Sequence, residues 1–129
     1  MHSITYETLV PRLLERVPEF HPTEEWVEDN LAYLVFGDLM RFINLQLEDP
    51  ANDAVVRRIF EFFESALNVP DPRIKDVLDD SFHDLAVSVE PVSVKRFMKR
   101  ATRRLYESVE DSIYVTPFLK KAARFIRFR

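Results

Sequence analysis

The sequence contains no cysteine, which excludes a disulfide framework, a thiolate nucleophile and a cysteine-ligated zinc site. It contains a single glycine, Gly37, so a glycine-rich loop that wraps phosphate groups is also excluded. With three histidines and no Gly-x-Ser-x-Gly motif, the chain lacks the usual framework for nucleophilic catalysis. These absences predict a protein that is not an enzyme, with no catalytic residues and no bound cofactor or metal.

Long apolar runs and targeting signals are missing as well. No apolar segment approaches the roughly 18 residues needed to cross a membrane. The N-terminal segment carries acidic side chains early and lacks the apolar block and small-residue cleavage site of a signal peptide. We therefore expect a cytoplasmic protein without a membrane partner. The length of 129 residues is typical of one domain, here residues 1–129.

Apolar residues recur with the period of a helix in every segment long enough to interpret. No segment shows the alternation or the Asn-Gly turns typical of β-hairpins. Helix starts are predicted where a capping residue precedes such a segment: Ser3, Thr23, Asn52 or Asp53, Asp71 with Pro72, Ser93, and Thr116 with Pro117. The sequence predicts an all-α fold of six to seven helices, arranged as an irregular antiparallel bundle or a short solenoid of helical hairpins.

The most apolar stretch runs from Leu31 to Leu47 and contains Gly37. Its apolar residues cover almost the whole circumference of a helix, which is typical of a helix buried between neighbours. A glycine inside a helix is unfavourable by about 1 kcal/mol relative to alanine, so we expect a bend or a close helix contact at Gly37. The helix containing this stretch is predicted to start at Thr23 and either to run unbroken through Gly37 or to divide at Gly37-Asp38 into two pieces. The rest of the chain is predicted to pack around it.

Charge is distributed unevenly along the chain. Residues 1–90 contain 7 Lys+Arg and 19 Asp+Glu, whereas residues 91–129 contain 11 and 3. Their formal charges are therefore −12 and +8. Either the two regions face each other within the fold, or one of them attracts a charged partner.

The acidic region contains two clusters that are candidates for binding a partner. One surrounds Trp26, which is either an exposed anchor or packed against the adjacent helix. The other combines aspartates with a histidine at helical spacing, and these groups could also bind a divalent metal. A metal site would need ligands from a second helix, so a solvated or protein-binding face is favoured. The candidate partner-binding residues are Glu24, Glu25, Trp26, Glu28, Asp29, Asp76, Asp79, Asp80, His83 and Asp84.

The basic region comprises the segment from Lys95 to Arg104 and the C-terminal segment 120–129. Its cations could together bind phosphate groups of a nucleic acid, and the terminal helix could lie on an anionic membrane. They also fit the polar faces of ordinary amphipathic helices, and no known nucleic-acid-binding motif accompanies them.

The segment LVFGDLMRF, from Leu34 to Phe42, follows an acidic helix start and precedes a phenylalanine-rich helix and the segment SFHDL at 81–85. In this arrangement, over roughly residues 5–110, the chain resembles a family of small, uncharacterised, all-helical bacterial proteins. Proteins of this kind are found among the immunity proteins of polymorphic-toxin systems, each of which blocks one toxin domain by binding it.

The resemblance implies structural roles for most of the motif. Those roles are core positions for Phe36, Leu39 and Phe42, a helix contact for Gly37, and a local ion pair between Asp38 and Arg41. It also implies an immunity function, in which acidic residues complement a basic, nuclease-like toxin and buried aromatic groups provide affinity. The alternative is a nucleic-acid-binding or regulatory helical protein that uses residues 95–104 and 120–129.

Overall fold

A computed structural model describes residues 3–113, in which seven α-helices are present. Their bounds are α1 Leu9–Arg16, α2 Glu24–Glu28, α3 Ala32–Gln46, α4 Asp53–Leu67, α5 Pro72–Ser88, α6 Pro91–Lys95 and α7 Arg100–Ile113. No β-strand occurs between residues 3 and 113, which confirms the all-α prediction for this part of the chain. The helix predicted to start at Thr116 lies outside the described residues.

Helix α4 lies in the middle of the fold and contacts α1, α3, α5 and α7. Its Phe63 is fully buried, and the ring centroid lies 5.2 Å from that of Phe60, 5.4 Å from Phe82 and 6.4 Å from Phe36. One aromatic ring therefore joins α3, α4 and α5. Because helices distant in sequence meet on α4, the fold is an irregular bundle and not a solenoid, in which hairpins contact only their neighbours.

Helix α3 is buried on one side only. Its inward residues are Ala32, Val35, Phe36, Leu39, Met40 and Ile43. On the opposite side Leu34 and Leu45 are 44% and 61% exposed, so the expectation that this helix is buried all round is wrong. The reason is that α2 and α5 lie against the two flanks of α3, and the side between these flanks is left open to solvent.

The helix predicted to start at Thr23 and continue through Leu47 is divided in two. The break falls at Asn30, whose φ of 53° is left-handed, a conformation that asparagine tolerates better than most residues. Gly37 lies within the uninterrupted helix α3 and has no positive φ. The alternative in which the helix runs unbroken through Gly37 is therefore confirmed, and the division falls at Asn30 instead.

Other predicted helix starts have mixed outcomes. Asp71 accepts a hydrogen bond from the Arg73 N–H at 2.9 Å, which confirms this cap. Helix α1 begins at Leu9, after a turn held by the side chains of Thr5 and Thr8, so the predicted start at Ser3 is wrong. Asn52 occupies the N-cap position of α4 but makes no side-chain capping bond.

The single helix predicted to start at Ser93 is also wrong. Helix α6 ends at Lys95, and α7 begins at Arg100. Between them, Phe97 and Met98 are buried. The chain leaves the helical path here so that these two side chains enter the core.

Candidate protein-binding surface

The outer face of α5 presents Asp76, Asp80 and Asp84, which follow one another at intervals of four residues. All three are exposed, and none of their carboxylates forms an ion pair with another residue in the described part of the chain. A spacing of four places them along one side of the helix. We call these three residues the acidic row.

The other two predicted residues of α5, Asp79 and His83, lie on the flank that faces α7. His83 Nδ1 is 2.8 Å from the Asp79 carbonyl oxygen and 3.7 Å from its carboxylate, and His83 Nε2 is 3.2 Å from Ser112 Oγ. A serine, a histidine and a carboxylate in this order are typical of hydrolases. Ser112, however, is a helical residue of α7, where main-chain N–H groups are bonded within the helix and are not free to stabilise an oxyanion. Asp79, His83 and Ser112 form a contact between α5 and α7.

The second predicted cluster occupies α2 and the residue that follows it. Its four carboxylates are exposed: Glu24, Glu25, Glu28 and Asp29. Trp26 is half-buried and packs against the core. The structure therefore supports the interpretation in which Trp26 packs against the neighbouring helix, and not the one in which it is an exposed anchor.

Asp38, in the middle of α3, attaches α2 to α3. The main-chain N–H and the hydroxyl of Thr23 each donate to Asp38 Oδ2 at 3.0 Å, and Arg41 pairs with the other carboxylate oxygen. Burial raises the pKa of Asp38, but the hydrogen bonds from Thr23 and Arg41 outweigh burial and leave that pKa below its ordinary value. The ion pair that the resemblance implied is therefore confirmed.

Between the two acidic clusters, α3 presents an apolar strip formed by Tyr33, Leu34 and Leu45, which are 47%, 44% and 61% exposed. This strip was not predicted, because apolar residues cover almost the whole circumference of α3 and all of it was therefore expected to face the core. At 100° per residue, Leu34, Arg41 and Leu45 fall within about 40° of one another. An arginine in such a row was the available signal that this side faces solvent.

Helices α2 and α5 border the strip on opposite sides. Helix α2 is attached at Asp38, whereas α5 is attached at Asn44, whose amide donates to Ser88 Oγ at 3.2 Å. These two attachment points are about 120° apart around α3, and Leu34 and Leu45 lie between them. An apolar centre with a charged border is the usual composition of a protein-binding surface.

Gly37 lies on the flank of α3 that faces α5, in the same row as Tyr33 and Asn44. A Cβ atom added to Gly37 would meet nothing within 4 Å outside its own stretch of helix. The predicted helix contact at Gly37 is therefore wrong. The space beside this glycine is open, because neither α5 nor any other described element reaches it.

Two cations of the basic region, Lys95 and Arg96, are paired within the fold. Arg96 forms a two-point ion pair with Asp53, with N–O distances of 2.9 and 3.3 Å, and its guanidinium lies 4.2 Å from the centre of the Phe97 ring. Lys95 lies 2.9 Å from Glu110 and 3.7 Å from Glu107. The remaining cations of this segment are exposed: Lys99, Arg100, Arg103 and Arg104. The basic segment 120–129 lies outside the described residues.

Glu64 links the acidic and basic regions. Its carboxylate accepts the N–H groups of Ala101 and Thr102 at 3.0 and 2.9 Å and the Thr102 hydroxyl at 2.8 Å, and so caps the start of α7 from α4. Burial raises the pKa of Glu64, but these hydrogen bonds and the nearby Lys99 charge leave it below the ordinary value. The sequence contains no local signal for this cap, since 37 residues separate Glu64 from Ala101.

Residues 3–113 contain neither a candidate metal cluster nor a candidate membrane span. This part contains no group of three or more histidine, cysteine, aspartate or glutamate side chains that could hold a metal ion. None of its helices combines the length and the hydropathy that a membrane span requires.

Comparison with known proteins gives a family but no characterised relative. No curated protein and no solved structure matches the chain. One family model, described as "Domain of unknown function (DUF7674)", matches residues 10–114. This range contains all seven helices except the first residue of α1, and it contains the apolar strip and both acidic clusters. The chain belongs to this family of domains of unknown function.

Proposed function

We propose that this chain is a non-enzymatic protein-binding module that neutralises a bacterial toxin domain by forming a complex with it. The observation that carries the proposal is the exposed apolar strip on α3, bordered by the acidic row on one side and by α2 on the other. In this mechanism the toxin is inhibited by occlusion. The partner is a basic, nuclease-like toxin, and the complex forms in the cytoplasm.

The two parts of the surface have separate roles in this proposal. Exposed carboxylates attract a basic surface over a distance and so raise the association rate. Apolar side chains that become buried in the complex slow dissociation. The acidic clusters therefore govern how fast the complex forms, and the strip governs how long it lasts.

The test is a purification from the native host with this chain as bait, followed by mass spectrometry and by reconstitution with the purified partner. We expect a basic protein in a one-to-one complex, toxic when produced alone and harmless when produced together with this chain. The proposal is wrong if the reconstituted partner has no toxicity, or if nothing binds in one-to-one ratio.

A matched pair of variants tests whether the strip is the surface used. Leu45→Asp should accelerate dissociation at least tenfold without lowering the melting temperature, because Leu45 is exposed. Val92→Asp is the control, since Val92 on α6 is similarly exposed, at 73%, but lies outside the strip. Equal effects of the two variants would exclude the strip as the binding surface.

The alternative function, nucleic-acid binding, is supported by the exposed cations around the start of α7. Lys99, Arg100 and Arg104 form no ion pair with another described residue. The N-terminus of α7 cannot add its own attraction for phosphate, because Glu64 already occupies it. Micromolar binding to random-sequence DNA at low salt, lost when these three residues are replaced by alanine, would favour this alternative.

A further inference from the structure

The glycine in α3 has no explanation within the fold. Gly37 is the only glycine in the chain and lies inside a helix, where glycine is among the least favourable residues. Its φ is not positive, so the backbone does not require glycine there. A Cβ atom there would meet no atom of another described element within 4 Å, so packing within residues 3–113 does not require glycine either. The remaining explanation for the glycine is the open space beside it, which is available to a group from outside the chain.

The surroundings of this space follow from the register of α3 and α5. Tyr33 lies near Asp76 and Asp80, and Asn44 bonds to Ser88. The two helices therefore run in the same direction, and Gly37, one turn after Tyr33, lies level with the turn from Asp80 to Asp84. The open space thus has an aromatic ring at one end and the acidic row along one side.

The electrostatic state of Tyr33 is consistent with this placement. Partial burial, the Asp76 charge, the Tyr6 hydroxyl and the Asp80 charge together raise the pKa of Tyr33 above its ordinary value. Tyr33 therefore keeps its proton and presents a neutral ring beside negative charge. A cation placed there would gain from both the ring and the carboxylates.

A guanidinium group suits these surroundings better than an ammonium group. It is planar, stacks on aromatic rings and can bond to a carboxylate through two N–H groups at once. The chain already contains one such arrangement nearby, since the Arg73 guanidinium lies 4.7 Å from the centre of the Tyr6 ring and pairs with Asp71 and Glu7.

We infer that the open space beside Gly37 is the docking position for an arginine side chain of a basic partner protein, stacked on Tyr33 and paired with the acidic row. The absence of a side chain at Gly37 gives the guanidinium room to reach the carboxylates. The inference relies on the proposed function for the identity of the partner, but its test does not require that partner.

The first experiment uses a nona-arginine peptide as the probe and ¹⁵N-glycine labelling of the protein. With one glycine, the labelled protein gives one amide signal, from Gly37. We expect this signal to shift on titration with nona-arginine, and to shift several-fold less with nona-lysine at equal concentration. An unchanged signal at saturating nona-arginine, or equal shifts with both peptides, would overturn the inference.

The second experiment replaces groups around the open space and measures affinity for labelled nona-arginine by fluorescence anisotropy. Asp80→Lys and Tyr33→Ala should each weaken binding at least threefold. Glu24→Lys is the matched control for charge, because Glu24 is exposed on α2 at the far border of the strip. Equal losses for Asp80→Lys and Glu24→Lys would show that the peptide responds only to overall charge, and the inference would then be wrong.

The third experiment fills the open space. Gly37→Ala should raise the melting temperature by about 2–4 °C, because alanine favours the helix and meets no obstacle, and should weaken nona-arginine binding at least threefold. Ser65→Ala in α4 is the control: it also favours a helix at an exposed position, but it should leave binding unchanged. The inference is overturned if Gly37→Ala binds like the parent or unfolds at a lower temperature.

The outcomes separate the inference from the proposed function. If a toxin is found and neutralised but Gly37→Ala binds it as tightly as the parent does, the proposed function stands and the arginine position is wrong. If nona-arginine binds at Gly37 as expected and the native partner has no toxicity, the position is right and the proposed function is wrong.

Discussion

The two charged regions of this molecule differ in where their unpaired charges lie. In the basic region, Arg96 pairs with Asp53 and Lys95 pairs with Glu107 and Glu110, whereas Lys99, Arg100 and Arg104 around the start of α7 form no ion pair within residues 3–113. On the acidic side, the carboxylates of Asp76, Asp80 and Asp84 have no cationic partner within residues 3–113. Formal charges of −12 and +8 therefore do not identify a binding surface by themselves. A charge paired inside the fold contributes to stability, whereas an unpaired one is available to a partner.

Glu64 gives the largest expected effect, because it joins α4 to the basic helix α7. Glu64→Ala should lower the free energy of unfolding by about 2–3 kcal/mol, since it removes three hydrogen bonds and leaves the buried Thr102 without its acceptor. Urea denaturation measures the change. Glu61→Ala, one turn earlier on the same helix, is the control and should change stability by less than about 0.5 kcal/mol. Equal effects would show that α7 does not depend on this cap.

The same carboxylate predicts how stability depends on pH. The pKa of folded Glu64 is below the ordinary 4.5, so its contribution is present above that pH and is lost as pH falls through the folded pKa. Glu64→Gln keeps the shape but not the charge. It should lower the free energy of unfolding by about 1 kcal/mol at pH 7, and by progressively less below pH 4.5. If the difference in free energy of unfolding between Glu64→Gln and the parent stayed constant down to pH 2.5, the assignment of a charged cap would be contradicted.

Arg96 tests the ion pair between the two regions. Arg96→Ala should lower the free energy of unfolding by about 1 kcal/mol or less, because the pair with Asp53 is partly exposed and the guanidinium also covers Phe97. Thermal melting at 0.05 and 1 M NaCl measures the effect, and its ionic part should weaken at high salt. Arg104 is an exposed cation without a described ion pair, so Arg104→Ala serves as the reference. Its effect on the free energy of unfolding should be near zero.

The smallest effect on stability is expected for the acidic row. Replacing Asp76, Asp80 and Asp84 together by lysine should change the free energy of unfolding by less than about 0.5 kcal/mol, since these carboxylates are exposed and unpaired in the described part of the chain. Association with a basic partner should nevertheless slow at least tenfold at low salt. Stopped-flow mixing with the purified partner measures this rate. A large loss of stability would mean that the row is needed for the fold.

Two local signals in the sequence correctly predicted local features of the fold. The Asp71-Pro72 start of α5 and the Asp38–Arg41 pair each involve residues within three positions of one another, and both are present. The breaks at Asn30 and before Arg100 depend on contacts from other parts of the chain. The amide of Asn30 bonds to the Glu7 carbonyl, and the start of α7 depends on Glu64. Helical periodicity carries no information about such contacts.

The binding surface was predicted only in part, because helical spacing carries no information about which neighbouring helix covers a side chain. Spacing alone was enough to place Asp76, Asp80 and Asp84 on one side of a helix. Spacing could not separate them from Asp79 and His83, because only the position of α7 assigns those two to another flank. Tyr33 and Leu45 were missed because an apolar residue on a helix has the same pattern whether a neighbouring helix covers it or not.

The position of the one tryptophan has a spectroscopic consequence. Trp26 is half-buried on the five-residue helix α2, whereas the fully buried aromatic rings around Phe63 belong to α3, α4 and α5. Its fluorescence therefore reports the docking of α2 onto α3 through the bonds between Thr23 and Asp38, and circular dichroism reports the helices as a whole. If α2 separates before the bundle unfolds, the fluorescence transition will fall at a lower denaturant concentration than the loss of helical signal.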